Sequence, residues 1–195
     1  MSTRARRGTC GGVSLIELVV FIVIVGVAMA GVFAAFNTIT KASADPQVHK
    51  QVLAIAESLM EEVALMPFTF CDPDDANAAA ATGPGIGGGQ CTSISEAIGP
   101  EAGETRYSTT TPFDNVNDYH TFAMGPGIQD ITNTTIAGLG AYSANITITG
   151  SALGSGLNLT TATGSMRISI TVTGPGGVST TLEGYRTRYA PNTLP

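Results

Sequence analysis

Residues 11–36 read GGVSLIELVVFIVIVGVAMAGVFAAF, a long apolar run with one carboxylate at its mouth. After Glu17, the nineteen residues Leu18 to Phe36 hold no charge, no proline and no strongly polar side chain. Wound as a helix they extend for about 28 Å, close to the hydrocarbon thickness of a bilayer. Arg4, Arg6 and Arg7 precede them, and that bias keeps the N-terminus cytoplasmic and sends the body across. The acid is the residue that needs a reason.

Three accounts of the run compete. A cleaved secretory signal has the same basic start and apolar core, with Ala28-Met29-Ala30 as its cutting site. The core nevertheless continues to Phe36, and neither a signal peptide nor a plain signal anchor has a use for Glu17. The third account supposes a cut between Gly12 and Val13. The new α-amino group then stands four residues before Glu17, one helical turn away on the same face. A carboxylate in low dielectric is costly unless paired, and this ammonium, its own or a neighbour's, is the available cation. Between adjacent helices such a pair sets their axial register.

Gly12-Val13-Ser14-Leu15-Ile16-Glu17 and the apolar run after them resemble the type IV pilin and type II secretion pseudopilin superfamily. The resemblance implies a basic leader, residues 1–12, removed after Gly12 by a prepilin peptidase that also methylates the new N-terminus at Val13. Val13 departs from the usual Phe, a departure tolerated in minor members. The helix-loosening proline that major pilins often carry is replaced by Ala34, which points to a minor subunit. The segment ADPQVHKQVLAIAESLMEEVALMPFTFCDPDDAN, the FDNVNDY motif and the C-terminal GYRTRYAPN are similar to minor pilins of the mannose-sensitive haemagglutinin (MSHA) pilus. The partners so implied are the prepilin peptidase, other pilin or pseudopilin subunits and an inner-membrane assembly platform, with the body in the periplasm. A minor pseudopilin of a type II secretion system and an adhesive module at a pilus tip, touching a surface or glycan through the glycine-rich loop or the strand edges, are the alternatives.

Beyond the membrane run, residues 37–67 are expected to continue the helix. Asp45-Pro46 reads as a cap followed by proline at a first helical position, which predicts a bend or restart. Val48, Val52, Ile55, Leu59, Val63 and Met66 then recur at helical spacing and predict one apolar face, which Pro67 closes. Residues 68–100 read as a Gly/Ala-rich loop. Cys71 and Cys91 lie beyond the membrane run, so a disulfide in an oxidising compartment is expected to tether it. Gly83-Pro84-Gly85-Ile86-Gly87-Gly88 fits a dinucleotide-loop spacing but has neither the strand before nor the helix after, and reads as flexible linker.

The remainder, 101–195, is expected to form an antiparallel sheet. Ser143 to Thr149 and Met166 to Val172 alternate apolar and polar, and Gly174-Pro175-Gly176-Gly177 turns the second run into a hairpin partner, Val178 to Tyr189. The predicted fold class is α+β, a long N-terminal helix whose outer half packs on the sheet.

Composition narrows the function further. Charged residues make up only 12% of the chain, and outside the first twelve residues six cations face fifteen acids. That balance excludes nucleic-acid binding, which needs lysine and arginine against phosphate. His49 and His120 fit no zinc or triad pattern, and no serine lies in a G-x-S-x-G setting. The Asn133, Asn145 and Asn158 sequons read as chance matches in a Thr-rich sheet. Asp72, Asp74 and Asp75 offer calcium-type oxygens but lack the spacing of an EF-hand, and with Asp114 and Asp118 of FDNVNDY they read as solvated turns. No enzyme activity, cofactor or metal is expected.

Overall fold

The computed structural model describes residues 12–153 and 164–188, and the leader readings at Arg4, Arg6, Arg7 and Cys10, with the sequon at Asn158, lie outside them. The chain divides into two compact units, one ending at Asp45 and one beginning at Pro46. A single helix, α1 (Leu15–Leu65), contributes to both.

In the first unit, α1 carries its apolar side chains outward all round. From Val13 to Phe36 the large ones are exposed, Leu15 by 82% and Val27 by 70%, apart from half-buried Val25. A helix apolar on every side has no water-facing side, which is the pattern of a segment that meets lipid or other helices. The stretch Leu15–Asn37 is long and apolar enough to cross a membrane.

The restart expected at Asp45-Pro46 does not occur. The helix runs through Pro46 to Leu65, so the proline sits in its interior. Its ring removes one backbone bond to the carbonyl a turn earlier, at a cost of about 3 kcal/mol relative to alanine. The flanking turns nonetheless keep helical conformation on both sides.

The second unit is built on the stripe read from the sequence. Val52, Ile55, Leu59 and Val63 are buried, with Val48, Met60 and Met66 packed at the margin. Their counterpart is a four-stranded antiparallel meander of β1 (Ala123–Met124), β2 (Ser143–Gly150), β3 (Ser165–Thr173) and β4 (Ser179–Thr187), in that order. Ile146 faces Ile170 and Ile148 faces Ile168 across the β2–β3 ladder. Pairs of β-branched residues at facing positions are favourable on a pleated surface. Ala144, Ile146 and Ile148 with Met166, Ile168, Ile170 and Val172 form the buried face. The fold is thus α+β, as the period-2 and period-3.6 patterns predict.

One glycine lets helix and hairpin meet closely and another makes the turn. A Cβ on Gly174 would lie 2.8 Å from Tyr142 Cε1 and 3.0 Å from Val48 and Val52 Cγ1, so only hydrogen fits there. Gly176, at φ 72°, makes the left-handed step of the turn that glycine takes without strain. The β2 edge beyond short β1 is covered by irregular chain: Ile146 N–H donates to Phe122 O at 2.8 Å and Ile148 N–H to His120 Nδ1 at 3.3 Å. His120 is therefore a strand-edge partner, and His49 is exposed on α1.

Strands occupy only the later part of 101–195, since β1 begins at Ala123 and the residues before it form turns and a 3-10 helix, Val116–Tyr119. That 3-10 helix corrects the reading of FDNVNDY as a solvated turn. Asn115, Val116, Asn117, Asp118 and Tyr119 are all buried. The expected Asx-type bonds are present, as a reciprocal capping box between Asn115 and Asp118. They carry the polar groups inward instead of serving them at the surface.

Candidate functional site

Two regions hold chemistry that packing alone does not explain. The first is the entry to α1. Gly12, Val13 and Ser14 precede the helix in non-helical conformation. Leu18 N–H donates to Ser14 O at 3.1 Å, so Ser14 is where the helical ladder begins. Glu17 lies in the first turn, where unpaired backbone N–H groups favour an acid by about 0.3–1 kcal/mol. Gly12 has open space around the position a Cβ would take. In this uncut chain Val13 stands two residues before the first helical one, and the i, i+4 spacing to Glu17 is a property of the sequence.

The second region surrounds the disulfide. Cys71 and Cys91 are bonded, with Cα atoms 5.4 Å apart and both residues fully buried. They form a small core with Ala78 and Ala81. The expected flexible linker is a pinned turn: Gly87 N–H donates to Cys91 O at 2.8 Å and Cys91 N–H to Gly85 O at 3.0 Å. Asp75 organises the loop from inside, accepting from the N–H groups of Asn77, Thr92, Ser93 and Ile94. The bond from Thr92 comes first among the causes that hold its carboxyl far below the usual carboxylate range. Asp75 is thus a structural acid, and Asp74 is exposed.

Other acids gather where this loop meets the 3-10 helix. Oxygens of Asp72, Glu104 and Asp114 lie within 4.8 Å of one another, as do those of Glu96, Glu101 and Asp118. Burial first, then the charges of Asp118 and Glu101, pushes Glu96 up to about 9. Burial likewise raises Glu104 to about 8, aided by Asp118, and Asp114 to about 7, aided by Asp72. Asp118 rises to about 7 because burial outweighs the two backbone N–H groups that hold it. Burial also raises Asp72 and Glu101. Arg188 is the basic neighbour. Its guanidinium lies 3.8 Å from the Phe68 ring centre and 4.4 Å from that of Phe70, and it donates to the carbonyls of Phe68 and Thr69. Burial pulls it down to about 10 against the field of Glu96.

A separate buried ion pair ties the helix to the body of its unit. Arg106, 5% exposed, donates from Nε to Glu62 Oε1 at 2.6 Å and from Nη2 to Oε2 at 2.7 Å. Its Nη1 serves the carbonyls of Gln129 and Asp130, and Tyr119 OH donates to Glu62 Oε1 at 2.9 Å.

Of the residues singled out from the sequence, Gly12, Val13 and Glu17 gather at the helix entry, and Cys71 and Cys91 at the loop. The carboxylate cluster escaped sequence reading because its members come from three separate stretches, 72, 96–104 and 114–118. Compared with models of protein families, with curated proteins and with solved structures, the chain matches none.

Proposed function

We propose that this chain is a minor type IV pilin-like structural subunit of the MSHA pilus kind, processed by a prepilin peptidase and built into, or priming, a filament. It is not an enzyme. The observation that carries the reading is Glu17 in the first turn of a helix whose apolar side chains are otherwise all unburied over the membrane run. A span of this length, Leu15–Asn37, sits in the inner membrane before assembly with the second unit in the periplasm. There Glu17, third residue of the span, is near headgroup level and inexpensive. In a bundle of such helices without water the same acid needs a cation, and the Val13 ammonium of a neighbouring subunit supplies it. Cohesion comes from apolar burial, and register comes from the charge pair. The disulfide supports a body that folds in an oxidising compartment.

The test is to express the chain with its filament system and shear the cells. The chain is expected in the sheared fraction, and expected to vanish from it when the prepilin peptidase is deleted. A chain found only in membranes, with unchanged mobility in the deletion strain, contradicts the proposal.

A further inference from the structure

The carboxylates of Glu96, Glu101 and Asp118 do more than crowd one another. Asp118 is fully buried, and its Oδ2 accepts from the N–H groups of Asn115 at 2.7 Å and Asp114 at 3.0 Å. Its Oδ1 is buried and has no hydrogen-bond partner. The same holds for Glu96 Oε2, whose sister oxygen accepts from Asn117 Nδ2 at 2.6 Å. Asn117, 1% exposed, donates from that same Nδ2 to the Ala97 carbonyl and carries a third orphan, its Oδ1. Leaving a buried polar atom unpaired costs about 1–3 kcal/mol, more for a charged one. Two of these orphans belong to three mutually close carboxylates and the third to the amide bonded to one of them, an arrangement that a cation relieves.

We infer that Glu96, Glu101 and Asp118, with the amide oxygen of Asn117, form a calcium-binding site. Each donor is an oxygen, which selects a hard cation over zinc or copper. The 4.8 Å within which the carboxylate oxygens lie is about the width of a calcium shell, whose oxygens stand about 2.4 Å from the ion. Magnesium demands a tighter octahedron and keeps its waters, so it fits less well. Glu96 and Asn117 also line a cleft of about 370 Å³, which gives an ion and its remaining waters a way in. Arg188 shares that cleft, but one guanidinium engaged with two carbonyls opposes the charge of three carboxylates and a second acidic triad beside them. Bound calcium joins the segment after the disulfide to the 3-10 helix and so clamps the loop to the body. The site does not depend on filament assembly.

The test uses the full chain in detergent micelles, stripped with chelator and titrated with calcium chloride in a calorimeter. One calcium per chain is expected, with a higher thermal unfolding midpoint in calcium than in chelator and a much weaker response to magnesium. Glu96→Gln and Glu101→Gln are each expected to weaken uptake by about tenfold or more, equivalent to at least about 1.4 kcal/mol, while Glu183→Gln on exposed β4 leaves it unchanged. Glu101, only half buried, keeps the test valid should Glu96→Gln misfold. Absence of uptake by the unsubstituted chain at about 10 mM calcium, beyond the range of weak extracellular sites, overturns the inference. So does uptake that survives both substitutions, or that is lost only in Asp72→Asn.

Discussion

Glu17→Val is expected to yield a protein that inserts in the membrane and loses its leader normally, yet is depleted from sheared filaments by about 30-fold. Insertion persists because valine extends the apolar run, and processing persists because the substitution lies five residues past Gly12. Assembly fails because the Val13 ammonium of a neighbour is left in the helix bundle without its counter-charge. Truncating one member of a buried charge pair costs about 2–5 kcal/mol, and the lower figure corresponds to about 30-fold in an equilibrium. Glu17→Asp, one methylene shorter, is expected to recover part of the loss, because the charge is kept and only its reach changes. Quantitative immunoblots of membrane and sheared fractions make the comparison. Equal amounts of the Glu17→Val variant and the unsubstituted protein in filaments would dismiss the charge pair as the register device.

The largest expected effect on stability comes from Arg106→Met. The substitution keeps volume but leaves Glu62 with the Tyr119 hydroxyl and without its ion-pair partner. Breaking a buried pair costs about 3–5 kcal/mol. Glu62 is 24% exposed and so keeps some hydration, which brings the expectation to about 2–3 kcal/mol. For a unit of this size that lowers the unfolding midpoint by about 4–12 °C. The double variant Arg106→Met with Glu62→Gln should be more stable than Arg106→Met alone. Glutamine still accepts from Tyr119 OH, and the stranded charge is gone. A double variant that melts below the single would show that the lost bonds to the Gln129 and Asp130 carbonyls dominate.

How far these features were visible beforehand follows from the range over which each is encoded. The membrane run, the stripe from Val48 to Met66 and the β3 alternation are written in neighbouring residues, and the stripe and β3 bury the residues that their periods mark. The pairing of Cys71 with Cys91 needed only their shared position beyond the apolar run. Pro46 misled as a restart signal because a local cap was outweighed by the helical turns on both sides. FDNVNDY misled in the opposite direction: acids and amides suggest water, but Asp118 and Asn115 satisfy one another's backbone and enter the core together. Arg106 offered no local signal at all, since its partner Glu62 lies 44 residues earlier. The acidic cluster is hidden for the same reason, being assembled by the disulfide loop and the 3-10 helix from distant stretches.

Filament entry as proposed requires a new amine one helical turn before Glu17, and the intact mass and N-terminal peptide of the membrane-extracted protein read that directly. The prediction is a chain beginning at Val13 and carrying one methyl group on its nitrogen. A chain beginning at Gly31, or one that is assembled while still holding residues 1–12, would contradict it.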